Sequence, residues 1–69
     1  MNNTGITIVI TLTAKDIAKI LGVSVATAYR RAKLIKEKNG LNKYGKIRLN
    51  LLCEEYKISE LEALARMNS

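Results

Sequence analysis

Polar and apolar positions change period along this chain, and each change marks an element. From Ile6 to Leu12 they alternate: Ile6, Ile8, Ile10 and Leu12 fall on one side, Thr7, Val9 and Thr11 on the other, and all but Leu12 are β-branched. A period of two in such residues predicts a strand with one buried face. A single strand is not stable alone, so a partner is expected, either Lys46-Ile47-Arg48-Leu49 or the same strand of a second subunit. Met1 to Gly5 is polar and is expected to be disordered. From Ala14 the period becomes helical. Ala14, Ile17, Ala18 and Leu21 recur at i, i+3, i+4 and i+7, an inward stripe, with Lys15 and Lys19 facing away. Thr13 is placed to cap this helix, with Asp16 three residues on as a weaker form of the capping box. Gly22 follows directly and can take the left-handed conformation that ends a helix.

A second helix is predicted close behind. Ser24 is its cap and Val23 the apolar residue that packs before a cap. It should run from about Val25 to Lys38 and close at Asn39-Gly40. At 100° per residue, Ala28, Ala32 and Ile35 share one side, and Val25, Ala26, Tyr29, Arg30 and Lys33 share the other. The two inward alanines allow a close approach to the first helix. Two helices joined by a short glycine-centred turn read as a helix-turn-helix.

Beyond Gly40 the signals shorten. Leu41 to Leu49 is turn-rich and leads into a short strand, with Gly45 between basic residues as an exposed wing or loop tip. Tyr44 fits two roles, a wing residue or a plug under the loop. Asn50 to Tyr56 predicts a short helix burying Leu51, Leu52 and Cys53. Ser59-Glu60-Leu61-Glu62 has the spacing of a full capping box and predicts a last helix to about Met67, with Leu61, Leu64 and Ala65 as its apolar stripe. Leu51, Leu52, Tyr56, Ile58, Leu61 and Leu64 read as core, with a dimer interface as their second possible use.

Composition narrows the function. At 69 residues the chain is expected to be one domain, residues 1–69, with little apolar surface to bury. There is no histidine and only one cysteine, Cys53, which removes the commonest general base and the usual zinc sites. Cys53 reads as a small buried hydrophobe. The glutamates read as solvated helix surface, and no glycine-rich phosphate loop accompanies them. No enzymatic activity, cofactor or metal is expected. Ile6–Leu12 is too short to span a bilayer, and Met1–Gly5 lacks the basic residues of a signal peptide, so a cytoplasmic protein without a membrane partner is expected.

The charge is unevenly spread. Residues 15–48 carry ten Lys and Arg against two acidic residues, a balance of +8, whereas residues 49–69 carry two against four, a balance of −2. One cationic surface is expected, and such a field raises encounter rates with a polyanion and makes binding salt-dependent. The plain alternative is a solvated charged face.

The central residues Ile17, Ala18, Leu21, Gly22, Val23, Ser24 and Thr27-Ala28-Tyr29-Arg30 resemble the helix-turn-helix of bacterial and phage DNA-binding proteins. The likeness is to the small winged-helix group that includes MerR-type regulators and phage or transposon excisionases, and it covers about a third of the chain. The resemblance implies a mainly α, winged-helix-like fold with an N-terminal strand, a short second strand and one or two short C-terminal helices. It implies that the outer face of the second helix enters the major groove of double-stranded DNA. Arg30 would then read bases, because a guanidinium bonds two acceptors of guanine. Tyr29 would touch sugar, a thymine methyl or phosphate, and Lys33 would meet phosphate. Ser24 and Thr27, with Val25 and Ala26 in the first turn, would hold a phosphate. Lys43, Tyr44, Lys46 and Arg48 would form a basic wing on the backbone or minor groove. One departure stands out: Arg31 occupies a position usually apolar in this motif, at the edge of the buried side, which affects the helix tilt and the division of labour between Arg30 and Arg31.

The leading expectation is therefore a small transcriptional regulator, or an excisionase-like architectural factor of a phage or mobile element. It would bind as a homodimer or cooperative multimer, joined through Ile6–Leu12 or the C-terminal helix, with a recombinase or phage protein as a possible partner. Two alternatives remain. One is a DNA-recognition or recruitment module for packaging or recombination, similar to a small terminase. The other is a basic protein- or membrane-surface interaction module.

Overall fold

A computed structural model of the protein describes residues 10–69. Most of the expected N-terminal strand, and the polar start before it, lie outside the described residues. The elements run β1 (Thr11–Leu12), α1 (Ala14–Leu21), α2 (Val25–Lys38), β2 (Ile47–Arg48), α3 (Leu49–Tyr56) and α4 (Glu60–Met67). The described chain is mainly helical, with one short antiparallel sheet.

The sheet joins the two predicted segments. Thr11 pairs with Arg48 and Leu12 with Ile47, and the Leu49 amide donates to the Ile10 carbonyl at 2.8 Å. Leu12 and Ile47 point into the core while Thr11 and Arg48 face solvent, as alternation requires. Leu49 belongs to α3 and is buried, so the second strand is two residues long.

The α1 start is better formed than the spacing implied. Thr13 Oγ1 accepts from the Asp16 amide, and an Asp16 carboxylate oxygen accepts from the Thr13 amide, completing the capping box. Gly22 ends α1 at φ 68°, and residues 22–24 lead into α2, whose bounds are those read from the sequence. At the far end of α2, Gly40 also has φ 68°. The Leu41 amide returns to the Lys36 carbonyl at 2.8 Å and the Gly40 amide to the Glu37 carbonyl at 3.3 Å, the paired closing bonds of a Schellman turn.

The buried positions of α2 are Ala28, Ala32 and Ile35, and α2 packs along α1 through them. The other helices differ from expectation in informative ways. On α1 the buried residues are Ile17, Ala18 and Ile20, with Ala14 and Leu21 half-buried. Ile20 lies off the sequence stripe, and it is buried because α1 packs against α4 as well as α2. On α4 the expected stripe of Leu61, Leu64 and Ala65 is rotated. Ala63 is fully buried, Leu64 and Met67 are half-buried, and Leu61 is 81% exposed with Ala65 also outside. A small residue at 63 lets the α4 backbone sit close to its neighbours, which a leucine there would prevent. In α3, Leu52 and Cys53 are buried, whereas Leu51 is only half-buried.

The expected full capping box at α4 is half formed. Ser59 Oγ accepts from the Glu62 amide at 3.1 Å, but the Glu62 carboxylate turns to Arg66 at 2.6 Å, one helical turn on. The guanidinium at i+4 competes with the uncharged cap amide and wins.

The core is one cluster: Leu12, Ile17, Ala18, Ile20, Ala28, Ala32, Ile35, Ile47, Leu49, Leu52, Cys53 and Ala63, with no buried polar side chain among the described residues. Burial of Cys53 pushes its thiol pKa up, and the Glu60 carboxylate pushes it in the same direction.

Candidate functional site

All the residues singled out from the sequence except Arg48, which lies in β2, fall on two neighbouring segments, the start and outer side of α2 and the loop 41–46 that returns from its end. The capping of α2 explains the local order at its start. Ser24 is extended, at φ −68° and ψ 159°, and its Oγ accepts from the Thr27 amide at 3.2 Å. The Ser24 hydroxyl also donates to Thr27 Oγ1 at 3.0 Å, and Arg30 Nη2 donates to the same oxygen at 3.2 Å. Helical side chains lean toward the N-terminus, which is why Arg30 reaches back one turn rather than forward.

Sealing of Ala28, Ala32 and Ile35 leaves the opposite side of α2 in solvent. Ser24, Val25, Ala26, Tyr29, Arg30, Arg31 and Lys33 are exposed, and Thr27 is half-buried. Tyr29 is 66% exposed, so no described residue covers it as a core or boundary side chain. Arg31 is also exposed; its head is in solvent, and the departure from an apolar residue is accommodated without a buried charge.

The loop is shaped by its own hydrogen bonds. Asn42 Oδ1 accepts from the Tyr44 amide at 2.8 Å, and the Gly45 amide donates to the Asn42 carbonyl at 2.8 Å, closing a tight turn. A β-carbon on Gly45 would stand 3.1 Å from that carbonyl oxygen, so the turn is close-fitting at this position. Tyr44 is 82% exposed at the tip, with Lys43 Nζ 5.0 Å from its ring centroid; it is not a plug under the loop. The segment contains no strand of its own before β2.

Helix and loop meet at a residue that the sequence reading did not single out. Lys36 is half-buried, and its Nζ donates to the Lys43 carbonyl at 3.2 Å. The signal was available: Lys36 is seven residues from Tyr29 and three from Lys33, on the same side of the helix. Around this tie lie two hollows. One, of about 530 Å³, is bounded by Tyr29, Arg30, Lys33, Lys36, Leu41 and Lys43, with Glu37 also on its wall. The other, of about 210 Å³, has Tyr29 and Lys36 facing Tyr44, Gly45 and Lys46. Tyr29, Arg30, Lys33, Lys43, Tyr44 and Lys46 are thus brought together. Arg31 borders neither hollow, and Arg48 lies apart, with Lys46 and Asn50 in a third hollow beside α3. Leu34, on the far flank of α2, is an exposed apolar side chain that the sequence reading also passed over.

This surface is mainly cationic, with Glu37 as the one acidic residue bordering the larger hollow. Two ion pairs occur among the described residues, Lys38–Glu55 at 3.1 Å and Glu62–Arg66 at 2.6 Å. Neither involves Arg30, Arg31, Lys33, Lys43, Lys46 or Arg48. The first turn of α2 carries no acidic residue, whereas those of α1 and α4 do. Among the described residues no three His, Cys, Asp or Glu side chains converge as metal ligands would. No described helix is long and apolar enough to cross a membrane.

Comparison of the chain with protein-family models, with curated proteins and with solved structures gives no match in any of the three.

Proposed function

We propose that this chain is a sequence-specific double-stranded DNA-binding protein of the helix-turn-helix type. In this reading α1 and α2 are the paired helices, α2 is the helix that enters the major groove, and loop 41–46 is a short basic wing. The observation that carries it is the split character of α2. One side is closed by alanines against α1, and the other presents Tyr29, Arg30 and Lys33 to solvent with no carboxylate partner among the described residues. Leaving aside Lys38, which pairs with Glu55, six exposed cations on α2, the loop and β2 repel one another, and a phosphate backbone relieves that repulsion while releasing counterions.

The roles follow from position. An α-helix fits the major groove, where Arg30 can bond guanine O6 and N7. Lys33 and the loop lysines Lys43 and Lys46 sit beside it, placed for phosphates. Tyr44, at the loop tip, would meet sugar or the minor-groove edge. Ser24, Val25, Ala26 and Thr27 begin the helix, where amides favour a phosphate. A protein of this size covers one half-site, so useful specificity needs a dimer or several adjacent copies. The biological role that fits is a small transcriptional regulator or an excisionase-like architectural factor of a phage or mobile element. A recruitment module for packaging or recombination would use the same surface together with a protein partner.

Membrane-surface binding has less support. It requires a large apolar face opposite the basic one, and on α2 that side is occupied by α1.

Selection from random duplexes, followed by gel shift at physiological salt, tests the proposal. The expected result is a preferred sequence, with Arg30→Ala costing about 1–3 kcal/mol and relaxing one base position. A palindromic winner indicates a two-fold dimer, and direct repeats indicate side-by-side copies. Equal binding to any duplex and to an unrelated polyanion such as heparin would overturn the reading.

A further inference from the structure

Arg30 is the cation best placed to read a base, but a long side chain on an exposed helix face ordinarily samples many rotamers. Fixing one such side chain on binding costs roughly 0.5–1.5 kcal/mol, equivalent to about 2–10-fold in affinity at 1.4 kcal/mol per tenfold. Here the guanidinium is already held. Its Nη2 donates to Thr27 Oγ1 at 3.2 Å, and Thr27 is itself fixed by Ser24, whose hydroxyl donates to the same oxygen at 3.0 Å. The Thr27 amide closes the ring by donating to Ser24 Oγ at 3.2 Å. Ser24, Thr27 and Arg30 are spaced at i, i+3 and i+6, so all three lie on one side of the first two turns of α2.

We propose that Thr27 is a positioning residue that sets base specificity by pre-orienting the Arg30 guanidinium toward guanine. This rests on the DNA-binding reading above. Three details of the hydrogen-bonding support it. First, Arg30 uses only one hydrogen of Nη2 in the tie. Whichever Nη2 hydrogen is engaged, one complete two-donor edge of the guanidinium stays open, either Nη1 with Nη2 or Nε with Nη2. A guanine offers O6 and N7 side by side in the major groove, the acceptor pair such an edge matches. Adenine presents an acceptor next to a donor and does not match it.

Second, Thr27 Oγ1 accepts from Arg30 and shares a hydrogen bond with the Ser24 hydroxyl. One of the two hydroxyl protons bridges the pair and the other is left to donate outward, where a phosphate oxygen on the flanking strand can accept it. Third, the tie draws a cation back toward the positive end of the α2 dipole, in a turn that contains no acidic residue. The positive potential of this turn, left uncompensated within α2, favours electronegative atoms arriving from outside.

The test separates orientation from mere contact by reading preference rather than affinity. Wild type, Thr27→Val, Thr27→Ser, Arg30→Ala and the Thr27→Val/Arg30→Ala double variant are each confirmed folded by circular dichroism. Each is titrated against the duplex selected by wild type and against duplexes with every base of that site changed in turn. The expected result is a guanine whose replacement costs wild type about 5–140-fold, converted at 1.4 kcal/mol per tenfold from the value of a bidentate contact. Thr27→Val should reduce that preference about 2–10-fold, and Thr27→Ser, which retains the oxygen, should restore it. In the Arg30→Ala background Thr27→Val should change the preference no further, even if overall affinity falls through loss of a phosphate donor. A Thr27→Val protein with undiminished guanine preference, beside an Arg30→Ala protein that has lost it, would overturn the positioning role and leave DNA binding intact. Wild type without a preferred duplex would overturn the binding reading itself, and this proposal with it.

Discussion

Arg66 and Ile20, 46 residues apart, are joined by a hydrogen bond in which Arg66 Nη1 donates to the Ile20 carbonyl at 2.7 Å. The carbonyl belongs to the last turn of α1, where such groups lack helical partners and the helix dipole favours a cation. The same guanidinium is steadied by Glu62 on its own helix at 2.6 Å. Through this contact the acidic C-terminal piece supports the helix pair at a point away from the cationic face.

Arg66→Met keeps much of the stem and removes both bonds. Charge-assisted hydrogen bonds are worth about 1.5–3 kcal/mol, but the Arg66 side chain is 43% exposed, and solvent screening reduces this. A loss of about 1 kcal/mol is expected, read as a lower urea midpoint at unchanged slope. An unchanged midpoint would show that the contact does not stabilise α4 on α1.

Leu52 is fully buried at the centre of the core. Leu52→Ala should cost about 2–5 kcal/mol. A domain of this size has a total stability of only about 3–10 kcal/mol at typical values per residue. The variant should therefore melt far below wild type or be largely unfolded at 25 °C by circular dichroism. Leu61→Ala, on the exposed side of α4, should change stability by less than about 0.5 kcal/mol. Equal losses at the two positions would contradict the rotated α4 face.

Lys57 ends α3 at φ 56°, a left-handed conformation that costs a non-glycine residue roughly 1–2 kcal/mol. Lys57→Gly should raise stability by about 0.5–1 kcal/mol, after allowing for the greater freedom of glycine in the unfolded chain. Gly22→Ala should lower it by about 1 kcal/mol. No heavy atom lies within 4 Å of the β-carbon that alanine would add, so the loss comes from the backbone conformation alone. Thermal melts of the two variants should move in opposite directions.

Burial raises the Cys53 pKa above that of an ordinary thiol, with the Glu60 carboxylate adding to the effect. Well below that value the thiol is protonated in both states and contributes no pH dependence. As pH rises through it, the unfolded thiol ionises while the native one keeps its proton. The unfolded state then binds fewer protons, and stability falls with pH. Wild type should therefore lose more stability between pH 7.5 and 9.5 than Cys53→Ala does, by urea titration at each pH. Alkylation of native Cys53 by iodoacetamide should be much slower than in urea.

Lys33 and Lys46 border separate hollows beside Tyr29, and in the proposed DNA complex they meet phosphates rather than bases. Lys46→Ala and Lys33→Ala should each weaken duplex binding nearly uniformly across sequences, and each should reduce the slope of log affinity against log salt by about 0.9. A change in sequence preference at either position would move that residue from backbone contact to base reading.

What the amino-acid order determined by itself was local. The Thr13 cap, the Gly22 stop, the Ser24 start and the Asn39-Gly40 close of α2 rest on hydrogen bonds within a few residues, and the Ala28/Ala32/Ile35 side of α2 follows from one helical period. Tertiary structure decided what depends on a second element. Ile20 is buried because α4 covers a flank of α1 that periodicity leaves polar-facing. Ala63 rather than Leu61 faces inward because α4 packs against both α1 and α3, and the small residue allows the close approach. Tyr44 stands in solvent because the Asn42–Gly45 turn and the Lys36 tie hold the loop tip outward. A cap is made by neighbours in sequence and needs no distant partner, whereas the choice of buried flank, as on α1 and α4, is made only when distant segments compete for the same apolar surface.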